Sequence, residues 1–78
     1  MSKLQVVLEM AHTKSFTTKS DFARDNADFV AMAASEGYIT TRIAAGYYGR
    51  TWQITLEGLE HLYILKGLMP PRRKAKAL

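Results

Sequence analysis

Three groups of residues in this chain have types and spacings from which chemistry could be built. The first is His12 and His61, whose imidazoles suit proton transfer. They stand alone and far apart in sequence, and the Ser and Thr residues fall at helix starts rather than beside a base. The second is Asp21, Asp25 and Asp28, which share a helical spacing. This acidic cluster has no His within it and no Gly-bearing loop of the kind that wraps a calcium ion. The third is a set of cations and aromatics: Lys14, Lys19 and Arg24, then Arg42 and Arg50 around Tyr47-Tyr48, then Arg72, Arg73 and Lys74. Lys and Arg neutralise phosphates, and that is the chemistry this third group offers. No phosphate-binding loop or dinucleotide fingerprint occurs. There is no cysteine to form a disulfide or a thiolate metal site. The expectation is a protein that is not an enzyme and uses no cofactor and no metal.

The elements that must position these residues can be read from periodicity. Ser2-Lys3-Leu4-Gln5 has capping-box spacing, and Leu4, Val7, Leu8 and Ala11 recur on one helical face. A first helix is predicted from Lys3 to about Thr13, with Ser15-Phe16-Thr17 as a connector. Thr18-Lys19-Ser20-Asp21 starts a second helical region, in which Phe22, Ala23, Phe29, Val30 and Ala33 share a face. Asn26 falls in the middle of that face, and two readings follow. Either residues 19–36 form one helix with Asn26 half-buried, or the chain breaks at Arg24-Asp25-Asn26 and Asp25 caps a new helix. Gly37 ends this region, since glycine tolerates the left-handed conformation past a helix C-terminus. Tyr38 to Ile43 reads as a strand, Ala44 to Gly49 as a loop, and Arg50 to Thr55 as the return strand. Thr55 then caps a last helix carrying Leu56, Leu59, Leu62, Tyr63, Ile64, Leu65 and Leu68, stopped by Gly67 and Pro70-Pro71.

The stretch Gly37-Tyr38-Ile39, a hairpin, then Ile54-Thr55-Leu56-Glu57-Gly58-Leu59-Glu60-His61-Leu62 resembles the winged helix-turn-helix superfamily, most closely its MarR-like regulators. The resemblance covers roughly residues 16–66. It implies a small α+β domain with two or three N-terminal helices, a β-hairpin wing and a C-terminal helix. It also implies a short strand beside the wing at residues 15–17. Most members bind DNA, and a substantial minority bind only protein. DNA contacts would then come from the recognition helix and the wing, at Arg42, Tyr47, Tyr48 and Arg50, with Lys14, Lys19 and Arg24 available for phosphates. The leading expectation is a DNA-binding regulator or accessory protein holding double-stranded DNA through wing and basic tail. The alternative is a module that modulates a protein partner through Tyr47, Tyr48 and neighbouring strand residues. Two features favour that alternative. The presumed recognition helix offers Asp28, Ala31, Ser35 and Glu36 outward, without Lys or Arg. Aromatics at a loop tip between two glycines also mark an interface. Arg42 and Arg50 have a plainer role open to them as strand charges that discourage edge-to-edge pairing.

Charge divides along the chain. Eleven Lys and Arg face seven Asp and Glu, a net charge of +4. Residues 69–78 hold Arg72, Arg73, Lys74 and Lys76 and no acid, so removing those four leaves seven against seven in residues 1–68. The expected organisation is one domain over residues 1–68 and a flexible basic tail over residues 69–78. The last helix is apolar around much of its circumference, more than a small core can cover. Leu62, Ile64, Leu65 and Leu68 are therefore expected to form a homodimer seam. No stretch approaches the roughly 18–20 consecutive apolar residues of a membrane span. The N-terminus lacks the long apolar run of a signal peptide. A cytoplasmic protein is expected.

Overall fold

The computed structural model describes residues 2–69. Helix α1 spans Lys3–Thr13, and the Ser2 hydroxyl accepts the Gln5 N–H at 3.1 Å, satisfying one of its orphan amides. The chain then turns at Ser15, whose φ of 62° lies in the left-handed region, into the two-residue strand β1, Phe16–Thr17. The middle region is two helices, α2 over Asp21–Asp25 and α3 over Ala27–Ser35. Of the two readings open in the sequence, the break is the one adopted. It sits one residue later than a cap at Asp25 would place it. Asn26 ends α2 and begins α3, and both its N–H and its Nδ2 donate to the Phe22 carbonyl, at 3.1 and 2.9 Å. A half-buried amide thus finds its partner inside the turn and escapes the penalty of an unmade hydrogen bond. The first middle helix is capped by Ser20, whose hydroxyl accepts the Ala23 N–H at 3.1 Å.

Helix α3 ends where Gly37 takes a φ of 79°, which lets the Tyr38 N–H return to the Ala33 carbonyl at 2.9 Å. Strand β2 covers Ile39–Ala44 and strand β3 covers Tyr47–Ile54. The hairpin is tighter than its glycines suggest. The expected loop from Ala44 to Gly49 shrinks to a turn at Ala45-Gly46, and Tyr47, Tyr48 and Gly49 belong to β3. Two register shifts along β2, between Thr40 and Arg42 and between Arg42 and Ala44, take up the mismatch in strand length. The sheet order is β1-β3-β2, antiparallel throughout, with Phe16 opposite Trp52 and Ile39 opposite Ile54. Helix α4 spans Leu56–Leu65 and is capped by Thr55. The architecture is a small α+β domain of four helices and a three-stranded sheet.

All seven elements contribute to one apolar cluster. Val7, Leu8 and Ala11 of α1, Phe16, Ala23, Val30, Ala33, Ile39 and Leu62 are buried. Trp52 and Ile54 pack against them from β3, as their shared face predicts. Phe16 and Phe22 meet edge to face at 4.8 Å, fastening β1 to α2. Across the domain, the Lys66 ammonium pairs with the Glu9 carboxylate at 3.4 Å, tying the end of α4 to α1.

Candidate functional site

The root of the hairpin is built to be rigid. The Thr55 hydroxyl accepts the Gly58 N–H at 3.0 Å and donates towards the Gly37 and Tyr38 carbonyls at 2.7 and 3.0 Å. The Thr55 N–H also donates to the Tyr38 carbonyl, at 2.8 Å. Gly58 lets that strand backbone lie against α4, since a Cβ there would overlap the Tyr38 carbonyl and come within 2.9 Å of Ile54. His61 stacks on the Tyr38 ring at 4.5 Å with the planes 14° apart. Burial pushes the Tyr38 phenol pKa up, and the nearby Glu36 and Glu57 carboxylates add to the effect. His61 is thus a packing partner of the hairpin root, and His12 lies exposed at the end of α1.

Beyond this root the hairpin leaves the body. Every residue from Arg42 to Tyr48 is exposed. Three of them are large and apolar: Ile43 at 74 %, Tyr47 at 70 % and Tyr48 at 70 % exposure. Exposed aromatic and branched side chains in one short segment form the kind of patch that soluble domains use for contact. The two faces of the hairpin differ. Arg42 stands directly opposite Tyr48, so the two share a face, while Arg50 lines a depression with Thr41, Ile43, Gly49, Thr51 and Gln53. Ile43 lies over Gly49 on the other face, where a Cβ on the glycine would come within 2.7 Å of its Cδ1. The Arg42 N–H donates to the Thr40 hydroxyl at 3.1 Å, and its Nε donates to the Ala44 carbonyl at 3.4 Å. These bonds curl the arginine along its own strand. Among the described residues, neither Arg42 nor Arg50 has a carboxylate within ion-pair distance.

The remaining cations are divided. Lys19 and Arg24 line one shallow depression with Thr18, Ser20, Ala23 and Ala27. The Thr18 N–H donates to the Arg50 carbonyl at 2.7 Å, which brings the Arg50 backbone to the same corner. Arg24 is paired with Asp21 at 3.2 Å and lines a second depression with Asp25 and Asp28, so its surroundings are acidic. Lys14 lies apart, beside Val6, Glu9, Met10 and Thr13 on α1. Arg72, Arg73 and Lys74, with the rest of the expected basic tail from residue 70 onwards, lie outside the described residues. The exposed side of α3 carries Ala27, Asp28, Ala31, Met32 and Ser35, followed by Glu36, and has no cation.

The expected seam on the last helix is altered at one position. Leu62 is completely buried and belongs to the core, so it offers nothing to a second copy, while Ile64 is half-buried and Leu65 and Leu68 are exposed. Two exposed residues were missed by periodicity. Leu56 follows the Thr55 cap and is 78 % exposed, and Ile43 is exposed although alternation would put it on the side of the buried Ile39. The register shift beside Ile43 was the deciding signal, and nothing local in the sequence marks it. Among the described residues, no three His, Asp or Glu side chains are placed to hold a metal ion, and no helix is long and apolar enough to cross a membrane.

The gene 5.7 protein of Enterobacteria phage T3 is 36% identical over 67 residues, which cover 86% of this chain and 97% of that protein. The chain belongs to the phage gene 5.7 protein family. The fusion protein 5.5/5.7 of Escherichia phage T7 is also 36% identical over 67 residues, and there the match spans only 40% of its length. No family model matches the chain. No solved structure matches the chain either.

Proposed function

We propose that this gene 5.7 family member is a non-catalytic winged-helix module that acts by binding a protein partner through its β2–β3 hairpin. The order α1-β1-α2-α3-β2-β3 with sheet order β1-β3-β2 supports the winged-helix reading, with the short strand β1 beside the wing where the resemblance expects it. The observation that carries the binding mode is the run of exposed residues from Arg42 to Tyr48, with Ile43, Tyr47 and Tyr48 projecting large apolar surface into water. Helix α3 occupies the position of a recognition helix. Its exposed side has two acids at its margins and small or apolar residues between them, a surface that a polyanionic groove repels.

A second reading has one observation in its favour. Lys19 and Arg24 line one depression, beside which Thr18 bonds the Arg50 backbone, and cations so placed on a winged helix suit the phosphates of duplex DNA. Fluorescence anisotropy of the full chain with a mixed-sequence duplex at low and moderate salt separates the two. The protein-binding reading expects weak binding that vanishes at moderate salt and is untouched by Tyr47→Thr and Tyr48→Thr. Those same substitutions abolish capture of a protein partner by the immobilised full chain. Duplex binding that survives moderate salt and is lost with Lys19→Ala, Arg24→Ala and Arg50→Ala would replace this proposal with the DNA reading.

A further inference from the structure

We infer that the partner docked by the hairpin is an acidic protein segment with an apolar side chain beside a carboxylate, the acid taken by Arg42 and the apolar side chain by Tyr48 opposite it. The inference rests on the protein-binding reading above and supplies the chemistry of the partner. Three observations lead to it. First, from Gly37 to Leu56 the sequence contains Arg42 and Arg50 and not one Asp or Glu. Among residues 2–36, by contrast, Glu9, Asp21, Asp25, Asp28 and Glu36 outnumber Lys3, Lys14, Lys19 and Arg24. The neutral body is therefore a basic hairpin standing on a slightly acidic base.

Second, the two arginines are uncommitted and in place. Neither has a carboxylate partner among the described residues, and Arg42 is steered by its bonds to Thr40 and Ala44. Those bonds use its N–H and Nε and leave its two terminal amino groups for an incoming acid. A guanidinium held in position makes short, charge-assisted bonds to a carboxylate at a smaller entropic cost than a free one. Third, Tyr48 stands directly opposite Arg42 across the hairpin, so an acid on Arg42 brings its neighbours to the ring. It is 70 % exposed, so contact with an apolar side chain removes surface from water that the free protein cannot hide.

An aromatic ring opposite an arginine also suits a nucleic acid. The base on which the hairpin stands decides between the two. A duplex lays its charge along the whole binding face and would bring phosphates towards Asp21, Asp25, Asp28 and Glu36, all exposed. A short acidic segment meets the hairpin alone. Edge-to-edge strand addition is not the mode of contact. The double register shift in β2 and the capture of the Arg42 N–H by Thr40 interrupt the ladder a new strand would need.

The test uses the full chain with p-benzoylphenylalanine in place of Tyr47, irradiated in Escherichia coli lysate at low and moderate salt. Mass spectrometry then locates the attachment point. The expected result is a protein adduct on a segment in which Asp and Glu outnumber Lys and Arg. Its yield should fall with salt and drop about tenfold or more in Arg42→Glu, as when one member of an interfacial charge pair is lost. Arg42→Lys should give an intermediate loss, because it keeps the charge without the planar fork. Circular dichroism of each variant confirms that the exposed substitutions leave the fold in place. Protein adducts on neutral or basic segments, or adducts indifferent to Arg42→Glu, overturn this inference and leave the protein-binding reading standing. Adducts only to nucleic acid, only to a second copy of the chain, or none at all overturn both.

Discussion

Thr55 and Gly58 do more for the architecture than their size suggests, because each serves two elements at once. The Thr55 hydroxyl caps α4 and holds the Gly37 and Tyr38 carbonyls at the start of β2. Thr55→Val keeps the shape and removes the oxygen, and should cost about 1–2 kcal/mol, with Thr55→Ser recovering most of it in urea melts. Equal losses in both variants would assign the effect to packing. Gly58 is required by proximity rather than by its dihedral angles, since any Cβ meets the Tyr38 backbone, which cannot rotate away. Gly58→Ala should destabilise by about 1–3 kcal/mol or more, through overpacking. A thermal midpoint unchanged from that of the parent chain would mean that α4 shifts freely, against the geometry described. Tyr38, in the same joint, links stability to pH. Its phenol keeps its proton more firmly in the folded protein, from burial first and from Glu36 and Glu57 second. The unfolded chain therefore gives up this proton first as pH climbs past the ordinary tyrosine value of 10.0. The associated stability is complete below that pH and is lost as pH rises through the folded-state value. Tyr38→Phe should flatten the fall in stability on the alkaline side in urea melts at stepped pH, and an unchanged slope would locate its origin elsewhere.

Among elements, those defined by local chemistry were legible in the sequence and those defined by pairing were not. The span of α1 follows from Ser2 and the spacing of Val7, Leu8 and Ala11, and the end of α3 from Gly37. The start of α4 depends on the Thr55 hydroxyl, a short-range bond that sequence spacing reveals, whereas α2 starts from the Ser20 hydroxyl, two residues later than the Thr18-Lys19-Ser20-Asp21 spacing places its cap. Strand β3 was read three residues too short, because Tyr47, Tyr48 and Gly49 look like a loop until β2 pairs with them through an irregular register. The same irregularity put Ile43 outside, against simple alternation. For the candidate surface, Arg42, Tyr47, Tyr48 and Arg50 were recognisable from residue type and position. That Lys19 and Arg24 lie beside the Arg50 backbone was not, since it depends on β1 pairing with a strand more than thirty residues away. The hairpin makes a prediction of its own. With both rings largely in water, Tyr47→Thr and Tyr48→Thr should each change stability by no more than about 0.5 kcal/mol. Chemical denaturation checks this. A large loss would show that the rings fold back on the body, which would remove them from any interface.

At the scale of the whole molecule, a small core leaves little margin. Among the described residues nine apolar side chains are buried, and Leu62 joins α4 to the cluster with no exposed surface. Leu62→Ala should cost about 2–5 kcal/mol. Against a total near 5–10 kcal/mol for a domain of this length, that is enough to leave a visible unfolded fraction at moderate temperature. Denaturant midpoints that barely move would mean that α4 is dispensable to the fold. The core and the projecting hairpin tip share almost no residues: none of the buried positions lies between Arg42 and Tyr48. This division has a consequence for heredity. Substitutions at the tip are tested by whatever the protein meets and hardly at all by whether it folds. Such a chain can change its exposed tip one residue at a time, while the nine positions that keep it folded stay where they are.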